Sequence, residues 1–161
     1  MNNLKDFIKT LNILYVEDEL NAREISTKVL KRFFNSVDAK ENGLEGYLAF
    51  KEKYFNNEKY DLIISDINMP KLDGMEMLEK IRGIDKQVPV IFVTARHESD
   101  ILLKAIELQI SSFIIKPLSI DAITEVINKA CEKLFLKNIV IEKNTQLELY
   151  LKTIEQIAFI I

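Results

Sequence analysis

Five short stretches rich in apolar residues alternate along the chain with longer segments in which apolar residues recur every three or four positions. An uninterrupted apolar run is typical of a strand buried on both faces, and the wider spacing is typical of an amphipathic helix. Strands and helices that alternate in this way form a parallel sheet covered by helices on both faces. The sequence therefore predicts an α/β fold with a doubly wound, five-stranded parallel sheet and an extended C-terminal helix.

The predicted elements follow directly from these patterns. The strands are expected at residues 11–16, 37–39, 62–66, 88–93 and 113–115. The helices are expected at residues 20–34, 43–54, 74–82, 98–108 and 121–161. We expect residues 1–10 to be an N-terminal extension packed on the domain, residues 11–136 the domain itself, and residues 137–161 a helical linker.

The third apolar run leads into Asp66 and stops before Pro70. Proline cannot donate a backbone hydrogen bond to a sheet and disfavours helix in the residue before it, so this strand must end near Asp66. Ligands of open α/β sheets bind at the carboxyl ends of the strands, which makes an acid at that edge a candidate functional residue. The alternative is an ordinary turn-forming aspartate.

Composition and charge exclude several classes of protein. The formal charge of −3 and the pI near 5.4 argue against direct binding of nucleic acid, which usually needs a basic surface. The single cysteine, Cys131, has no partner for an internal disulfide, and no leader resembling a signal peptide precedes the first strand. No apolar run is long enough to cross a membrane as a helix. We therefore expect a cytoplasmic protein with no membrane partner.

The last helical segment carries apolar residues at heptad spacing. These are Val140, Leu147, Ile154 and Ile161, with Leu151 and Ala158 four residues after two of them. Such a seam is typical of a coiled coil, in which the polar Asn144 would occupy a seam position and fix the register. We expect a homodimer through this helix, and the alternative is a single helix that folds back on the domain.

Candidate site residues follow four of the predicted strands. They are Glu17 with Asp18, Asp66, Thr94 with Ala95, and Lys116. Because the carboxyl ends of parallel strands share one edge of the sheet, we expect these residues to meet in space although they are far apart in the sequence.

Five sequence blocks resemble, in order and spacing, the receiver domain of response regulators in two-component signalling, over roughly residues 11–135. The blocks are Leu14-Tyr15-Val16-Glu17-Asp18-Glu19, Asp61-Leu62-Ile63-Ile64-Ser65-Asp66-Ile67-Asn68-Met69-Pro70, Asp73-Gly74, Val93-Thr94-Ala95 and Phe113-Ile114-Ile115-Lys116-Pro117. The resemblance implies a (βα)5 flavodoxin-like fold. It also implies a signalling domain with no separate substrate, whose only chemistry is the gain and loss of a phosphoryl group.

The resemblance implies that Asp66 is the phosphoacceptor, whose carboxylate attacks a phosphoryl group and forms a mixed anhydride. It further implies a divalent cation, Mg²⁺ or Mn²⁺, bound by Asp18, Asp66 and the backbone carbonyl of Asn68. Glu17 would contribute through a bound water. The family more often has aspartate at that position, so the departure at Glu17 leaves the affinity for the metal open.

The same resemblance implies roles for the remaining residues. Lys116 would place its ammonium group against a phosphoryl oxygen, and Pro117 matches the family's cis-proline. The Thr94 hydroxyl and the Ala95 N–H would donate to the phosphoryl oxygens. Phe113 would rotate into space that Thr94 vacates, so Thr94 and Phe113 form the expected switch.

The implied phosphodonor is a histidine kinase or a phosphotransfer protein, and the C-terminal helix is expected to lead to an output domain. The motifs of two rival classes of protein are missing from this sequence. A haloacid-dehalogenase-type phosphatase needs a second acid where this chain has Asn68, and a nucleotide-binding fold needs a glycine-rich turn where Glu17, Asp18 and Glu19 stand. A phosphorylation-independent pseudo-receiver stays as the alternative, although the presence of all four key residues argues against it; they are Asp18, Asp66, Thr94 and Lys116.

Overall fold

One sheet of five parallel strands forms the centre of the computed structural model, which describes residues 3–95, 99–116 and 119–160. The strands are β1 (Asn12–Val16), β2 (Ser36–Lys40), β3 (Leu62–Asp66), β4 (Val90–Thr94) and β5 (Ser112–Ile115), in the order β2-β1-β3-β4-β5. The helices are α1 (Leu4–Ile8), α2 (Leu20–Leu30), α3 (Gly43–Phe55), α4 (Gly74–Arg82), α5 (Ser99–Glu107) and α6 (Ile120–Ile160). The predicted α/β fold is confirmed.

Alternate residues of the central strands belong to two separate cores, one on each face of the sheet. Ile13 and Tyr15 of β1 pack in the core that α1, α2 and α6 cover. Leu14 and Val16 pack in the core that α3, α4 and α5 cover. This alternation follows from the two-residue period of a strand, and it explains why the strands appear in the sequence as continuous apolar runs.

Most predicted boundaries differ from the observed ones by at most one residue; two differ by more, and each of these has a backbone reason. The second helix ends at Leu30 rather than at residue 34, because β2 must begin at Ser36 to pair with Asn12, and the intervening turn buries Phe34. The fourth strand begins at Val90 rather than at residue 88. Pro89 has no N–H for the ladder, although its carbonyl still accepts a hydrogen bond from Ile63 at 2.9 Å.

The long helix α6 consists of a packed part and an exposed part. Ile123, Ile127 and Cys131 are buried against the sheet, and the Phe135 ring lies 5.4 Å from the Phe7 ring of α1. Burial raises the pKa of the Cys131 thiol to about 12, so this cysteine is inert at neutral pH. Residues 140–160 are all exposed, so this part of α6 does not fold back on the domain. No helix among the described residues is long and apolar enough to cross a membrane.

Candidate functional site

The sequence-predicted site residues meet at the carboxyl edge of the sheet. Asp66 is the last residue of β3 and Thr94 the last of β4. Glu17 and Asp18 directly follow β1, and Lys116 directly follows β5. The parallel strands thus place side chains from four segments at one edge.

Three carboxylates form the acidic part of the site. Glu17, Asp18 and Asp66 each offer an oxygen within 4.8 Å of the others. They lie at different depths, because Glu17 is 1% exposed, Asp66 is 8% exposed and Asp18 is exposed. A ligand that approaches from solvent therefore meets Asp18 first and reaches the nearly buried Asp66 behind it.

Among the described residues, Lys116 is the cation that contacts these carboxylates. Its Nζ donates to Asp66 Oδ2 at 2.6 Å and to Glu17 Oε2 at 3.2 Å, and its backbone N–H donates to the Thr94 carbonyl at 2.8 Å. Burial opposes the charge of Lys116, but the hydrogen bond to Asp66 and the charges of both carboxylates outweigh it, so the pKa of Lys116 is raised. The lysine is therefore protonated at neutral pH.

The two oxygens of Asp66 have different surroundings. Oδ1 accepts the Ile67 N–H at 2.6 Å and lies 3.4 Å from the Asn68 nitrogen. Oδ2 faces Lys116. The backbone thus fixes the orientation of the carboxylate through Oδ1, and Oδ2 contacts the ammonium group of the Lys116 side chain.

The buried Glu17 carries a charge that the site does not fully compensate. Burial raises the pKa of Glu17, although the Glu19 N–H at 3.2 Å and the ammonium of Lys116 act in the opposite direction. The Asp66 charge adds to the rise. When all three carboxylates are ionised, their charge exceeds that of the Lys116 ammonium, so a further cation would be attracted to the site. Oxygen ligands suit a hard divalent cation.

We expect the Glu17→Gln variant to be more stable than the wild type at pH 7 in EDTA. The folded-state pKa of Glu17 is raised above the unfolded-state value of about 4.5, so protonation of Glu17 stabilises the fold. This stabilisation is fully present below pH 4.5 and is lost as the pH rises through the folded-state pKa. Glutamine carries no charge at pH 7, so the variant does not have the cost of burying an ionised carboxylate at this position. Urea denaturation with and without Mg²⁺ measures this, and Mg²⁺ at 100 times its Kd should stabilise the wild type by about 2.7 kcal/mol and the variant by less.

The matched control for this prediction is Glu24→Gln, which removes the same charge from an exposed position of α2. It should leave both the stability in EDTA and the effect of Mg²⁺ unchanged. A Glu17→Gln protein that is less stable than the wild type in EDTA would show that the ion pair with Lys116 outweighs the burial of Glu17.

The other predicted site residues lie at the end of β4, on β5 and in the loop after β3. Thr94 is buried and Ala95 is exposed at the end of β4, and Asn68 is exposed in the loop after β3. The half-buried Phe113 ring packs against Phe92, with 6.4 Å between the ring centroids. Pro117, which we predicted to be a cis-proline, lies outside the described residues.

Two residues support the site without having been assigned a role from the sequence. Arg23 of α2 donates to the carbonyls of Glu17 at 2.7 Å and Asp18 at 3.1 Å, and so fixes the acidic turn. Gly74 donates its N–H to the Ile67 carbonyl at 2.7 Å, and a Cβ there would lie 2.3 Å from the Asp66 carbonyl oxygen. The Asp73-Gly74 block was the available signal for the second residue, and Arg23 had none.

The sequence profile of the response regulator receiver domain matches residues 13–128. The chain belongs to this family. Receiver domains are signalling domains rather than conventional enzymes, and this receiver domain retains the acidic pocket of Glu17, Asp18 and Asp66.

Curated relatives include both single receiver domains and longer regulators. This receiver domain is 34% identical to the chemotaxis protein CheY of Bacillus subtilis over 118 residues, which cover 73% of this chain and 94% of that protein. It is 37% identical to the probable transcriptional regulator ycf29 of Porphyra purpurea over 119 residues, which cover 72% of this chain and 54% of that protein. The chain thus spans about half the length of the transcriptional regulators that it matches.

Solved structures share the fold. The N-terminal domain of an uncharacterized protein from Wolinella succinogenes is 34% identical, with a TM-score of 0.70 over 80% of this chain and 99% of that chain. The receiver domain of the histidine kinase CKI1 from Arabidopsis thaliana, complexed with Mg²⁺ and BeF₃⁻, is 25% identical, with a TM-score of 0.66 over 76% of this chain and 93% of that chain.

Proposed function

We propose that this receiver domain is switched by phosphorylation of Asp66 in a two-component phosphorelay. The observation that carries the proposal is the setting of Asp66, whose Oδ1 is fixed by the Ile67 N–H while its Oδ2 contacts the Lys116 ammonium at 2.6 Å. The donor is a histidine kinase or a phosphotransfer protein.

The lone thiol of Cys131, which has no disulfide partner, supports a cytoplasmic location.

The carboxylate cluster fits Mg²⁺ or Mn²⁺. Oxygen ligands suit both ions, and among the described residues the three carboxylates contact a single cation, the ammonium of Lys116. Asp18, Asp66 and the carbonyl of Asn68 would hold the ion, with Glu17 acting through a water. A bound divalent cation supplies positive charge that reduces the repulsion between a carboxylate and an incoming phosphate. The Mg²⁺ in the CKI1 receiver complex supports this assignment.

The phosphoryl transfer itself needs a nucleophile, which is Asp66, and a cationic side chain that can change its hydrogen-bond partner, which is Lys116. An oxygen of Asp66 forms a bond to phosphorus while the bond from phosphorus to the donor nitrogen breaks, and the electron pair of that bond stays on the donor. Lys116, which is protonated, exchanges its hydrogen bond with Asp66 for one with a phosphoryl oxygen. The ion pair between these residues is thus replaced rather than lost.

Contacts that form only after phosphorylation provide the switch. The Thr94 hydroxyl and the Ala95 N–H lie at the end of β4, beside Asp66, and would donate to the phosphoryl oxygens. Movement of Thr94 toward the phosphate would open space for the half-buried Phe113 ring. Interactions made in one state only shift a two-state equilibrium toward that state.

Intact mass measurement after incubation with acetyl phosphate tests this proposal. We expect one added phosphoryl group in the presence of Mg²⁺ and none in EDTA. BeF₃⁻ with Mg²⁺, which mimics the phosphoryl group, should stabilise the protein against heat even where hydrolysis is fast. A protein that shows neither the adduct nor stabilisation by BeF₃⁻ would be the phosphorylation-independent pseudo-receiver, and the proposal would be wrong.

We also propose that α6 transmits the state of the site by forming a parallel coiled-coil dimer. Every residue of 140–160 is exposed, and the seam residues Val140, Leu147 and Ile154 expose 58%, 57% and 60% of their surface. The last seam position, Ile161, lies outside the described residues. Helices of this length gain most of their stability from packing an apolar face. A second copy of the same helix, joined in the heptad register, supplies that packing.

Sedimentation velocity tests the dimer with two pairs of substitutions on the same helix. Leu147→Lys with Ile154→Lys places charge in the seam and should give a monomer. Gln146→Lys with Thr153→Lys adds the same charge one position earlier, outside the seam, and should leave the dimer intact. A wild-type protein that stays monomeric with and without BeF₃⁻ contradicts the proposal.

A further inference from the structure

A cavity of about 820 Å³ opens at the edge of the sheet opposite Asp66, where β4 and β5 begin. Its walls are the loop between α4 and β4, the loop between α5 and β5, and one face of α6. This volume lies in the range of ligand pockets. The described lining of the cavity shares no residue with the phosphoacceptor site, so a ligand in it would bind without contacting Asp66.

The charge of this cavity is opposite to that of the whole chain. Five of its lining residues are cationic and none is acidic; the cations are Arg82, Lys86, Lys129, Lys133 and Lys137. The chain as a whole has 25 acidic and 22 basic residues. The nearby Asp85 carboxylate accepts the backbone N–H groups of Gln87 and Val88, so it is engaged in its own loop. The cavity is therefore a local basic site on an acidic protein.

Four of these cations have no acidic partner among the residues that the structure describes. Lys86, Lys129, Lys133 and Lys137 form no ion pair with a carboxylate in the described part of the chain. The three lysines of α6 are spaced by four residues, which places their Cβ atoms about 5–6 Å apart on one face of the helix, where like charges repel. Lys137 donates to the Gln87 side-chain oxygen at 3.0 Å, across the cavity. An anion between these lysines would relieve the repulsion.

Arg82 fixes the two loops that form the cavity walls. Its guanidinium donates to the carbonyl of Leu108 at 2.9 Å in one loop and to that of Val88 at 2.8 Å in the other. It also lies 3.4 Å from the carbonyl of Gln109, which has a φ of 53°. Since hydrogen bonds within the protein already tie the two walls together, little ordering is needed when a ligand binds.

The cavity also has an apolar floor and neutral donors. Pro89, Ile110 and Leu134 form this floor and are half-buried, whereas the four lysines are exposed and form a rim; Ser111 and Ser112 add hydroxyl groups. A basic rim above an apolar floor suits a molecule in which phosphate groups are attached to a flat ring. We propose that this cavity binds a nucleotide with at least two phosphate groups, held by the lysines of α6 and Lys86, with its base on the apolar floor.

Such a ligand would join the α4–β4 loop to α6, the helix that leaves the domain. Nucleotide binding would thereby hold the base of α6 in one position, as an input separate from phosphorylation.

Fluorescence titration of the full chain with N-methylanthraniloyl-ATP tests this site. EDTA keeps divalent cations away from Asp66, and about 150 mM salt screens charges beyond about 8 Å. We expect saturable binding of one probe per chain. Lys129→Gln with Lys133→Gln should weaken binding by about tenfold or more, because two charge-assisted contacts are lost. Lys143→Gln with Lys152→Gln, which removes two charges from α6 outside the cavity, and Asp66→Asn should leave binding unchanged.

Several results would overturn the proposal. They are the absence of saturable binding, equal weakening by both lysine pairs, and loss of binding in Asp66→Asn. Displacement of the probe by ATP at lower concentration than by tripolyphosphate supports recognition of the base, and equal displacement by both contradicts it. Binding to vesicles that contain phosphatidylglycerol, dependent on Lys129 and Lys133 and without binding of the nucleotide probe, would assign these lysines to a lipid surface instead.

Discussion

The Asp66→Asn variant is expected to gain no phosphoryl group from acetyl phosphate and Mg²⁺ under conditions that fully label the wild type. An amide is not a nucleophile toward phosphorus. Of the two nearby acids, Glu17 is more deeply buried than Asp66, and Asp18 makes no ion pair with Lys116 among the described residues, so neither is placed to substitute for Asp66. Intact mass spectrometry over a time course measures the difference. The expected effect is complete loss of the adduct.

The fold of this variant should persist. The side-chain oxygen of the introduced asparagine can still accept the Ile67 N–H, and Lys116 keeps its ion pair with Glu17. Asp73→Asn is the matched control, because asparagine caps a helix as well as aspartate does and Asp66 is left unchanged. The control should be labelled like the wild type. Phosphate incorporated into Asp66→Asn would assign the acceptor to another residue.

Gly74→Ala is expected to lower the free energy of unfolding by about 1–3 kcal/mol, through overpacking. A Cβ at this position would lie 2.3 Å from the backbone oxygen of Asp66 and 2.9 Å from a ring carbon of Phe92. The first neighbour is main chain at the end of β3 and has no rotamer by which to move away. Relief requires a shift of the strand end that carries the phosphoacceptor, so the rate of phosphorylation should fall together with stability.

Urea denaturation and the rate of labelling by acetyl phosphate measure these two effects. Gly83→Ala is the control, because Gly83 has a helical φ of −68° and a Cβ there would meet its nearest neighbour, the Lys80 carbonyl oxygen, only at 3.2 Å. It should change stability by less than about 1 kcal/mol and leave labelling unchanged. A Gly74→Ala protein as stable as the wild type would show that the end of β3 can move freely.

The sheet could be predicted from the sequence because its three central strands, β1, β3 and β4, are buried on both faces. Continuous apolar runs such as the one from Leu62 to Ile64 have no other simple explanation, and the acids that follow them must share an edge in a parallel sheet. The end of α2 could not be predicted, because Phe33 and Phe34 continue the helical spacing. Pairing of β2 with β1 at Asn12 and Ser36 decides the boundary, and such pairing is a property of the tertiary structure.

The site was predicted as a set of residues but not as a set of contacts. The sequence indicated that Asp66 and Lys116 belong together, whereas the contact of Lys116 with Glu17 depends on how deeply Glu17 is buried. The hydrogen bonds from Arg23 run to backbone carbonyls, which leave no trace in a residue pattern. The basic cavity was missed for a related reason, since its lysines come from α6 and from a loop about forty residues earlier and converge only in the fold.

The continuity of α6 has a geometric consequence for any protein segment attached to its end. The helix is packed near Ile127 and Phe135 and then extends through the 21 exposed residues of 140–160, a length of about 30 Å at 1.5 Å per residue. A tilt of roughly 10° at its packed base would move the far end by about 5 Å. A small rotation of the packed part of α6 at the domain surface would thus displace the far end of the helix by about the length of one helical turn.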